Sequence, residues 1–180
     1  MSHYTRLVVP GGTYFFTVRL QDRGSRLLTD QVDLLRSSVR LAQKRWPFVI
    51  AAAVVLPDHL HMIWTLPQND PDFSKRWRMI KSTFSRHVEG PSDVSPSLAR
   101  RGEKGIWQRR FWEHTVRVED DLKRCVDYVH WNPRKHNVAA RVQDWPWSTF
   151  HRFVKEGEYD LAWGGTDPCP NYDTPEWNDE

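Results

Sequence analysis

Residues 48–66 decide the fold of this chain, and they read Phe48-Val-Ile-Ala-Ala-Ala-Val-Val-Leu-Pro-Asp-His-Leu-His-Met-Ile-Trp-Thr-Leu66. The nearly continuous apolar run from Phe48 to Leu56 predicts a central strand that is buried on both faces. Pro57 and Asp58 form a tight connection, so the run from His59 to Leu66 is predicted to return as the neighbouring antiparallel strand. This hairpin places a sheet at the centre of the domain.

Two histidines in the second strand of this hairpin are candidate metal ligands. Side chains alternate between the faces of a strand, so His59 and His61 share one face while Leu60 points into the opposite layer. Two imidazoles on one face make half of a divalent-metal site. Two strand histidines can equally be polar surface, so the metal interpretation depends on further ligands elsewhere in the chain.

The rest of the chain supplies two more predicted strands and three predicted helices. The strands are residues 13–20 and 111–118, and the helices are residues 31–46, 70–88 and 119–133. Residues 89–105 are rich in Gly, Pro, Ser and Arg and predict a mobile basic loop, and one further helical turn is expected at 147–154. The order β-α-β-β-α-β, followed by an additional helix, predicts an α+β, ferredoxin-like fold with helices on one face of an antiparallel sheet.

Composition and charge favour one domain with a nucleic-acid partner. The 180 residues are 39% hydrophobic, which suits a single domain with a core. We expect this domain to span residues 1–155 and an acidic, irregular tail to span residues 156–180. Without the tail, which has eight acidic and no basic residues, the net charge rises from +3 to +11. A basic body with ten tryptophans in the chain favours binding to phosphates and stacking on bases.

The sequence also indicates where the protein acts. No apolar run approaches the roughly 20 residues of a membrane helix, and residues 1–6 do not open a secretory signal. Cys125 and Cys169 suggest neither a disulfide framework nor a thiolate metal site. We therefore expect a cytoplasmic protein with no membrane partner.

The third predicted helix carries two more candidate site residues. Tyr128 falls at the edge of the apolar stripe, where a long side chain could bring its hydroxyl to the sheet; an exposed surface tyrosine is the alternative. Asn132 follows four residues later on nearly the same side, although Pro133 biases it away from helical angles. An Asn carbonyl oxygen is a suitable third ligand for a hard divalent ion beside two imidazoles.

Together these residues predict metal-dependent transesterification of a phosphodiester. Mg²⁺ or Mn²⁺ on His59, His61 and Asn132 would polarise the scissile phosphate. Tyr128 would attack the phosphorus and keep the 5′ end of the DNA as a phosphotyrosine. A tyrosine hydroxyl needs activation for this role, and the sequence leaves the activating group open.

Five segments in order carry a family resemblance: Val9-Pro-Gly-Gly-Thr-Tyr-Phe-Phe-Thr-Val18, Val54-Val-Leu-Pro-Asp-His-Leu-His61, Gly105-Ile-Trp-Gln-Arg-Arg-Phe-Trp-Glu-His114, Asp127-Tyr-Val-His-Trp-Asn-Pro-Arg-Lys-His136 and Asp144-Trp-Pro-Trp-Ser148. Over roughly residues 4–164 the chain resembles the REP-associated tyrosine transposases of the HUH single-tyrosine superfamily. The resemblance implies that His59 and His61 are the metal pair, Asn132 the third ligand and Tyr128 the nucleophile. It also implies a target of palindromic, hairpin-forming repeats that are cut as single strands.

Two positions depart from the family pattern without touching the proposed chemistry. Trp131 and Asn137 stand where the family often has Tyr and Gly. Trp131 keeps an aromatic ring, and Asn tolerates the left-handed conformation that ends many helices better than most residues do.

Other residues are weaker candidates. Glu113 and His114 could orient the metal histidines or belong to a buried polar network, and His130 and His136 are expected at the surface. The candidate DNA contacts, which could also be solvated surface groups, are Arg78, Lys81, Arg100, Arg101, Arg109, Arg110 and Trp112.

A second function class stays open at this point. It is a non-catalytic, sequence-specific nucleic-acid-binding module of ferredoxin-like fold, in which the histidines and Tyr128 are structural or stacking groups. The DNA sequence recognised and the choice between monomer and homodimer are also open.

Overall fold

A four-stranded antiparallel sheet organises the protein. A computed structural model describes residues 9–91 and 94–165. The strands are β1 (Thr13–Arg19), β2 (Val49–Val55), β3 (His59–Thr65) and β4 (Trp112–Val116), and they lie side by side in the order β2-β3-β1-β4. The predicted α+β class with an antiparallel sheet is confirmed.

Helices connect and cover the strands. Within the described residues they are α1 (Leu27–Asp30), α2 (Val32–Arg45), α3 (Phe73–Arg86), α4 (Pro96–Arg100), α5 (Glu119–Lys135) and α6 (Phe150–Lys155), with a 3-10 helix at Val142–Asp144. The helix predicted from residue 70 begins later because Asp72 caps it, accepting a hydrogen bond from the backbone of Lys75 at 3.0 Å. The predicted basic loop contains α4, which Ser95 caps.

The apolar strand β2 lies at an edge of the sheet, so its predicted central position is wrong. Val49 at its start is 67% exposed. The chain after the 3-10 helix covers the outer edge: the backbone N–H of Val55 donates to Trp147 at 2.9 Å, and that of Thr149 donates to Ala53 at 2.9 Å. β2 is therefore apolar because its two faces and its outer edge are all covered by other parts of the chain. A covered edge strand and a central strand have the same apolar sequence pattern, so the sequence alone cannot distinguish them.

Helices pack on both faces of the sheet. Alternation along β1 sends Phe16 into a core with α2 and α3, and it sends Phe15 into a second core with α5. The prediction that helices lie on one face therefore holds for α2 and α3 only. The additional helix α5 takes the second face, which is also the face of His59 and His61.

A buried arginine joins α3 to the connection between α2 and β2. The side chain of Arg76 is fully buried. Its guanidinium donates to the backbone carbonyls of Trp46, Pro47, Asp70 and Asp72 and to the carboxylate of Asp70. These bonds satisfy a charge that would otherwise be costly to bury.

Residues 166–180, including Cys169, lie outside the described residues. The domain boundary at residue 155 stays a prediction. Beyond it, Tyr159 stacks on Trp163 with ring centroids 4.5 Å apart, and its hydroxyl donates to Asp127 on α5. No helix in the described part of the chain is long and apolar enough to cross a membrane.

Candidate metal and nucleophile site

The two histidines of β3 lie side by side on the α5 face of the sheet. His59 and His61 are 3% and 2% exposed, and their ring centroids are 5.2 Å apart. Leu60 between them is buried in the opposite core. Strand alternation thus produces the predicted same-face pair.

Each histidine ring is oriented through its Nδ1 atom. His59 Nδ1 lies 2.8 Å from a carboxylate oxygen of Asp58, and His61 Nδ1 lies 2.9 Å from the hydroxyl of Thr17. Burial acts to raise the pKa of Asp58, but the hydrogen bond to His59 and the nearby Arg23 bring it below its usual value. The ionised carboxylate therefore accepts the Nδ1–H of His59, which leaves Nε2 of that ring as the nitrogen able to bind a metal.

Burial also controls the charge of His61. Removal of water, reinforced by the charges of His59, His136, Lys135 and Arg19, holds the pKa of His61 well below its usual range. The ring is consequently neutral at neutral pH. A neutral imidazole is the form that binds metals.

Asn132 on α5 meets His61 across the space between helix and sheet. Its side-chain oxygen lies 3.1 Å from His61 Nε2, while its side-chain nitrogen donates to the backbone carbonyl of Tyr128 at 3.1 Å. Two ligand atoms that share an octahedral ion at about 2.1 Å from each are about 3 Å apart, so this separation suits a common divalent ion. Pro133 does not displace Asn132 from helical geometry, because α5 continues to Lys135.

Tyr128 lies beside the histidines and is buried. It is 6% exposed, and its ring stands edge-on to His61 with centroids 5.4 Å apart. Its hydroxyl accepts a hydrogen bond from the ammonium of Lys135 at 3.0 Å. The exposed surface tyrosine of the alternative interpretation is therefore not what the structure contains.

Two residues of this region, Lys135 and His136, were given no part in the site by the sequence analysis. The ring of His136 lies 4.7 Å from that of His59. His59 and His136 line a cavity of about 490 Å³ together with Arg23 and Arg26. The sequence signal that could have identified them is their position in the segment 127–136, which also contains Tyr128 and Asn132. His130 of the same segment is fully buried, so its predicted surface position is wrong.

The candidate DNA contacts fall on both sides of the sheet. Arg78, Lys81, Arg109 and Arg110 line one cavity of about 580 Å³ against α3. Trp112 lies on the α5 side with its ring edge-on to Phe15, 5.8 Å between centroids. Arg100 ends α4, and Arg101 next to it forms an ion pair with Glu103 at 3.1 Å.

Lys81 is the most buried cation of the α3 cavity. Its ammonium donates to the carbonyl of Gln108 at 2.8 Å and lies 5.8 Å from the ring centroid of Trp107. Burial lowers the pKa of Lys81 to about 8, even though the charge of Glu103 acts in the other direction. Its positive charge is therefore lost under mildly alkaline conditions.

Glu113 lies on the opposite face of the sheet from the histidine pair, and His114 has a partner on α5. Glu113 is paired with Phe16 in the sheet, which directs its side chain to the α3 face. His114 lies on the α5 face, but its Nε2 atom is 2.9 Å from the carboxylate of Asp121. The alternation of side chains along β4 explains the position of Glu113. The start of α5 near β4 explains why His114 meets Asp121.

His114 and Asp121 form a separate group of possible metal ligands with Cys125, whose ligand atoms all lie within 4.8 Å of one another. Burial, with the charge of Asp121, raises the pKa of the Cys125 thiol to about 12. The thiol is therefore protonated at neutral pH, which disfavours metal binding there. His61, by contrast, is kept neutral by burial.

Comparison with known proteins identifies the family. No model of a protein family matches the chain. The chain is 47% identical over 165 residues to the REP-associated tyrosine transposase of Escherichia coli, and the alignment covers 92% of each protein. The chain belongs to the REP-associated tyrosine transposases. This transposase is also 42% identical over 166 residues to a Haemophilus influenzae protein provisionally given the same name, with 92% of this chain and 94% of the relative covered.

A solved structure supports the same assignment. The transposase matches the structure of a REP-associated tyrosine transposase bound to a REP hairpin with a TM-score of 0.79 and 47% sequence identity. The match covers 94% of this chain and 96% of the other. The family predicted from the five sequence motifs, and the transposase function that it carries, are confirmed.

Proposed function

We propose that this transposase cuts and rejoins single-stranded DNA at hairpin-forming palindromic repeats through a 5′-phosphotyrosine on Tyr128. His59, His61 and Asn132 would hold the divalent ion, Mg²⁺ or Mn²⁺. The observation that carries the proposal is the contact between α5 and β3. Asn132 contacts His61, and Tyr128, one helical turn earlier, packs against the same histidine ring. The fold is proposed to be ferredoxin-like, with α5 as the additional helix that carries the nucleophile.

The chemistry of the three ligands suits a phosphodiester substrate. Two neutral imidazoles and an amide oxygen add no negative charge, so a bound divalent ion would keep its full charge toward a phosphate. When bound, the ion supplies Lewis-acid polarisation of the phosphate. Asp58 and Thr17 hold the two rings, which reduces the reorganisation needed on binding.

The covalent step uses the oxygen of Tyr128. Its bond to phosphorus forms as the bond from phosphorus to the 3′ oxygen breaks. The phenolic proton passes to solvent, and the departing 3′ oxygen takes one up, so the step is balanced. The new ester can be attacked by a 3′-hydroxyl in the reverse sense, which allows rejoining without another energy source.

Hairpin DNA is proposed as the substrate because the solved relative was captured with a REP hairpin. The arginines of the α3 cavity and the basic body supply cations for its phosphates. Membership in a transposase family disfavours the alternative of a non-catalytic binding module. That alternative also gives no reason for a buried tyrosine beside two buried histidines.

The direct test is to trap and map the covalent intermediate. Wild-type protein is mixed with Mg²⁺ and single-stranded hairpin DNA carrying a 3′ label, and the products are denatured and digested with protease. We expect the label on the peptide that contains Tyr128, detected by mass spectrometry. A label on another residue, or cleavage without any adduct, contradicts the proposal.

A further inference from the structure

We infer that Lys135 is a catalytic residue that acts on the oxygen of Tyr128. Its ammonium holds the phenolic oxygen and stabilises the negative charge on it, both before attack and when it departs in the joining step. The inference rests on the proposed function, which makes Tyr128 the nucleophile. It names the group that the sequence leaves open as the activator of Tyr128.

The geometry places a cation directly at the reacting atom. Lys135 Nζ donates to the Tyr128 hydroxyl oxygen at 3.0 Å, and the same nitrogen lies 4.8 Å from the centroid of the phenol ring. Residues seven apart return to the same side of a helix after two turns. The two side chains therefore meet along one side of α5 next to His61.

The surroundings favour a charged lysine at this point. Lys135 is the last residue of α5 and is exposed, so water and the negative end of the helix dipole both stabilise its ammonium. The nearby proposed metal ligands His59, His61 and Asn132 carry no carboxylate. Lys135 is thus a cation aimed at the tyrosine oxygen.

The chemistry of an ammonium limits what Lys135 can do. A protonated lysine has three donors and no acceptor, so it cannot take the phenolic proton. It can hydrogen-bond the phenolate oxygen once the proton has gone to solvent. In the reverse step the bond from phosphorus to that oxygen breaks, and the same ammonium receives the departing oxygen. Both directions should therefore depend on Lys135.

The test separates charge, side-chain shape and DNA binding. Lys135→Met keeps the length of the side chain without charge, and Lys135→Arg keeps the charge. Lys123→Met is the matched control, because Lys123 lies on the same helix and pairs with Asp127 at 2.6 Å with 71% of its side chain exposed. Each protein is assayed for hairpin affinity in EDTA, single-turnover cleavage at saturating DNA, and rejoining of an isolated covalent adduct by a 3′-hydroxyl oligonucleotide.

We expect Lys135→Met to slow cleavage and rejoining at saturating DNA by roughly 10–100-fold, the range for losing a hydrogen bond to a charged group. Lys135→Arg should recover most of both rates, and Lys123→Met should match the wild type. Thermal melting of the two Lys135 variants should match the wild type, because Lys135 is exposed, whereas Lys123→Met should melt somewhat lower because it leaves the buried Asp127 without its lysine partner.

Three results would overturn the inference. The first is wild-type rates in Lys135→Met, and the second is a defect that disappears at saturating DNA, which assigns Lys135 to phosphate binding alone. The third is an Arg variant as slow as the Met variant with unchanged melting. Failure of the proposed function looks different, since the wild-type protein itself would then form no adduct on Tyr128.

Discussion

The side-chain oxygen of Asn132 lies 3.1 Å from Nε2 of His61, while the nitrogen of the same amide donates to the backbone carbonyl of Tyr128. Because the nitrogen is committed to that carbonyl, the oxygen must face the histidine. One amide therefore connects a proposed metal ligand on β3 to the helical turn that carries the proposed nucleophile. The following predictions test this arrangement and the fold that supports it.

Tyr128→Phe should bind hairpin DNA with about wild-type affinity and form no covalent adduct, because the ring remains and only the attacking oxygen is lost. A denaturing gel with 3′-labelled single-stranded DNA measures the adduct. Tyr159→Phe is the control, since that hydroxyl contacts Asp127 away from the histidines. A shifted protein–DNA band with the Tyr128 variant would rule out Tyr128 as nucleophile.

Removal of the metal or its ligands should stop cleavage in a graded way. EDTA, His59→Ala and His61→Ala should abolish it, and added Mg²⁺ or Mn²⁺ should restore only the EDTA-treated wild type. Asn132→Ala should retain some activity, because water can replace one ligand of a hard cation. His87→Ala, at an exposed histidine bonded to the Thr83 carbonyl, is the control for single-turnover assays. Full cleavage in EDTA is the result that the metal assignment cannot survive.

Binding should favour a hairpin with a single-stranded 5′ foot over blunt duplex of the same sequence, because stacking needs exposed bases. Affinity for both should fall steeply with salt, while the preference for the foot persists. Replacing Arg100 and Arg101 together by Ala should weaken hairpin and duplex alike and flatten the salt dependence. Replacing Arg36 and Arg40 on α2 is the control. Equal wild-type affinity for both DNAs at every salt concentration contradicts single-strand recognition.

Replacing the buried arginine should destabilise the fold without touching the site. Arg76→Met removes the side-chain donor shared by four backbone carbonyls and leaves the Asp70 carboxylate paired with Lys75 alone, so we expect a loss of about 3 kcal/mol or more in the free energy of unfolding. Urea denaturation measures it. The control is Arg78→Met on the exposed side of the same helix, and an equal, small effect of both changes would show that the buried network contributes little.

Acid should destabilise the protein through His130. Burial, with the charges of Arg152 and His151, lowers the pKa of His130 to about 3. Between pH 6.5 and about 3 the unfolded chain binds a proton that folded His130 does not, so this contribution falls as pH falls, by up to about 1.4 kcal/mol per pH unit. The buried ring of His61 acts in the same direction.

Urea unfolding of wild type and His130→Gln at pH 7, 5 and 4 measures this dependence. The variant loses the titrating group but keeps a side chain able to bond to Thr149, the partner of His130 at 2.8 Å. Its stability should therefore fall less between pH 7 and 4 than that of the wild type. Identical pH slopes would show that His130 titrates normally in the folded protein.

Local periodicity was enough to predict several features of the fold and the site. The period of two along β3 put His59 and His61 on one face and Leu60 on the other, as the structure shows. Asn137 stands where the family often has Gly, and its expected tolerance of the left-handed conformation is confirmed, since it follows α5 with a φ of 54°. Such features depend on a residue and its near neighbours, so a sequence carries them directly.

Other features depended on contacts between residues far apart in the chain. The apolar run of β2 was compatible with a central strand, and only the return of residues 147–149 along its outer edge made it an edge strand. His114 could have oriented a metal histidine, but the packing of α5 placed Asp121 next to it instead. Which partner a side chain meets depends on how helix and sheet are stacked, and that is not a periodic property of either segment.

The sequence by itself therefore determined the antiparallel α+β fold, the same-face histidines and the family. The tertiary structure decided that α5 covers the histidine face, that Asn132 meets His61, and that Lys135 reaches the oxygen of Tyr128. The physical reason is one of range. Alternation and helical repeat act over a few residues, whereas the meeting of β3 with α5 joins residues 71 apart in sequence through burial of a shared apolar face.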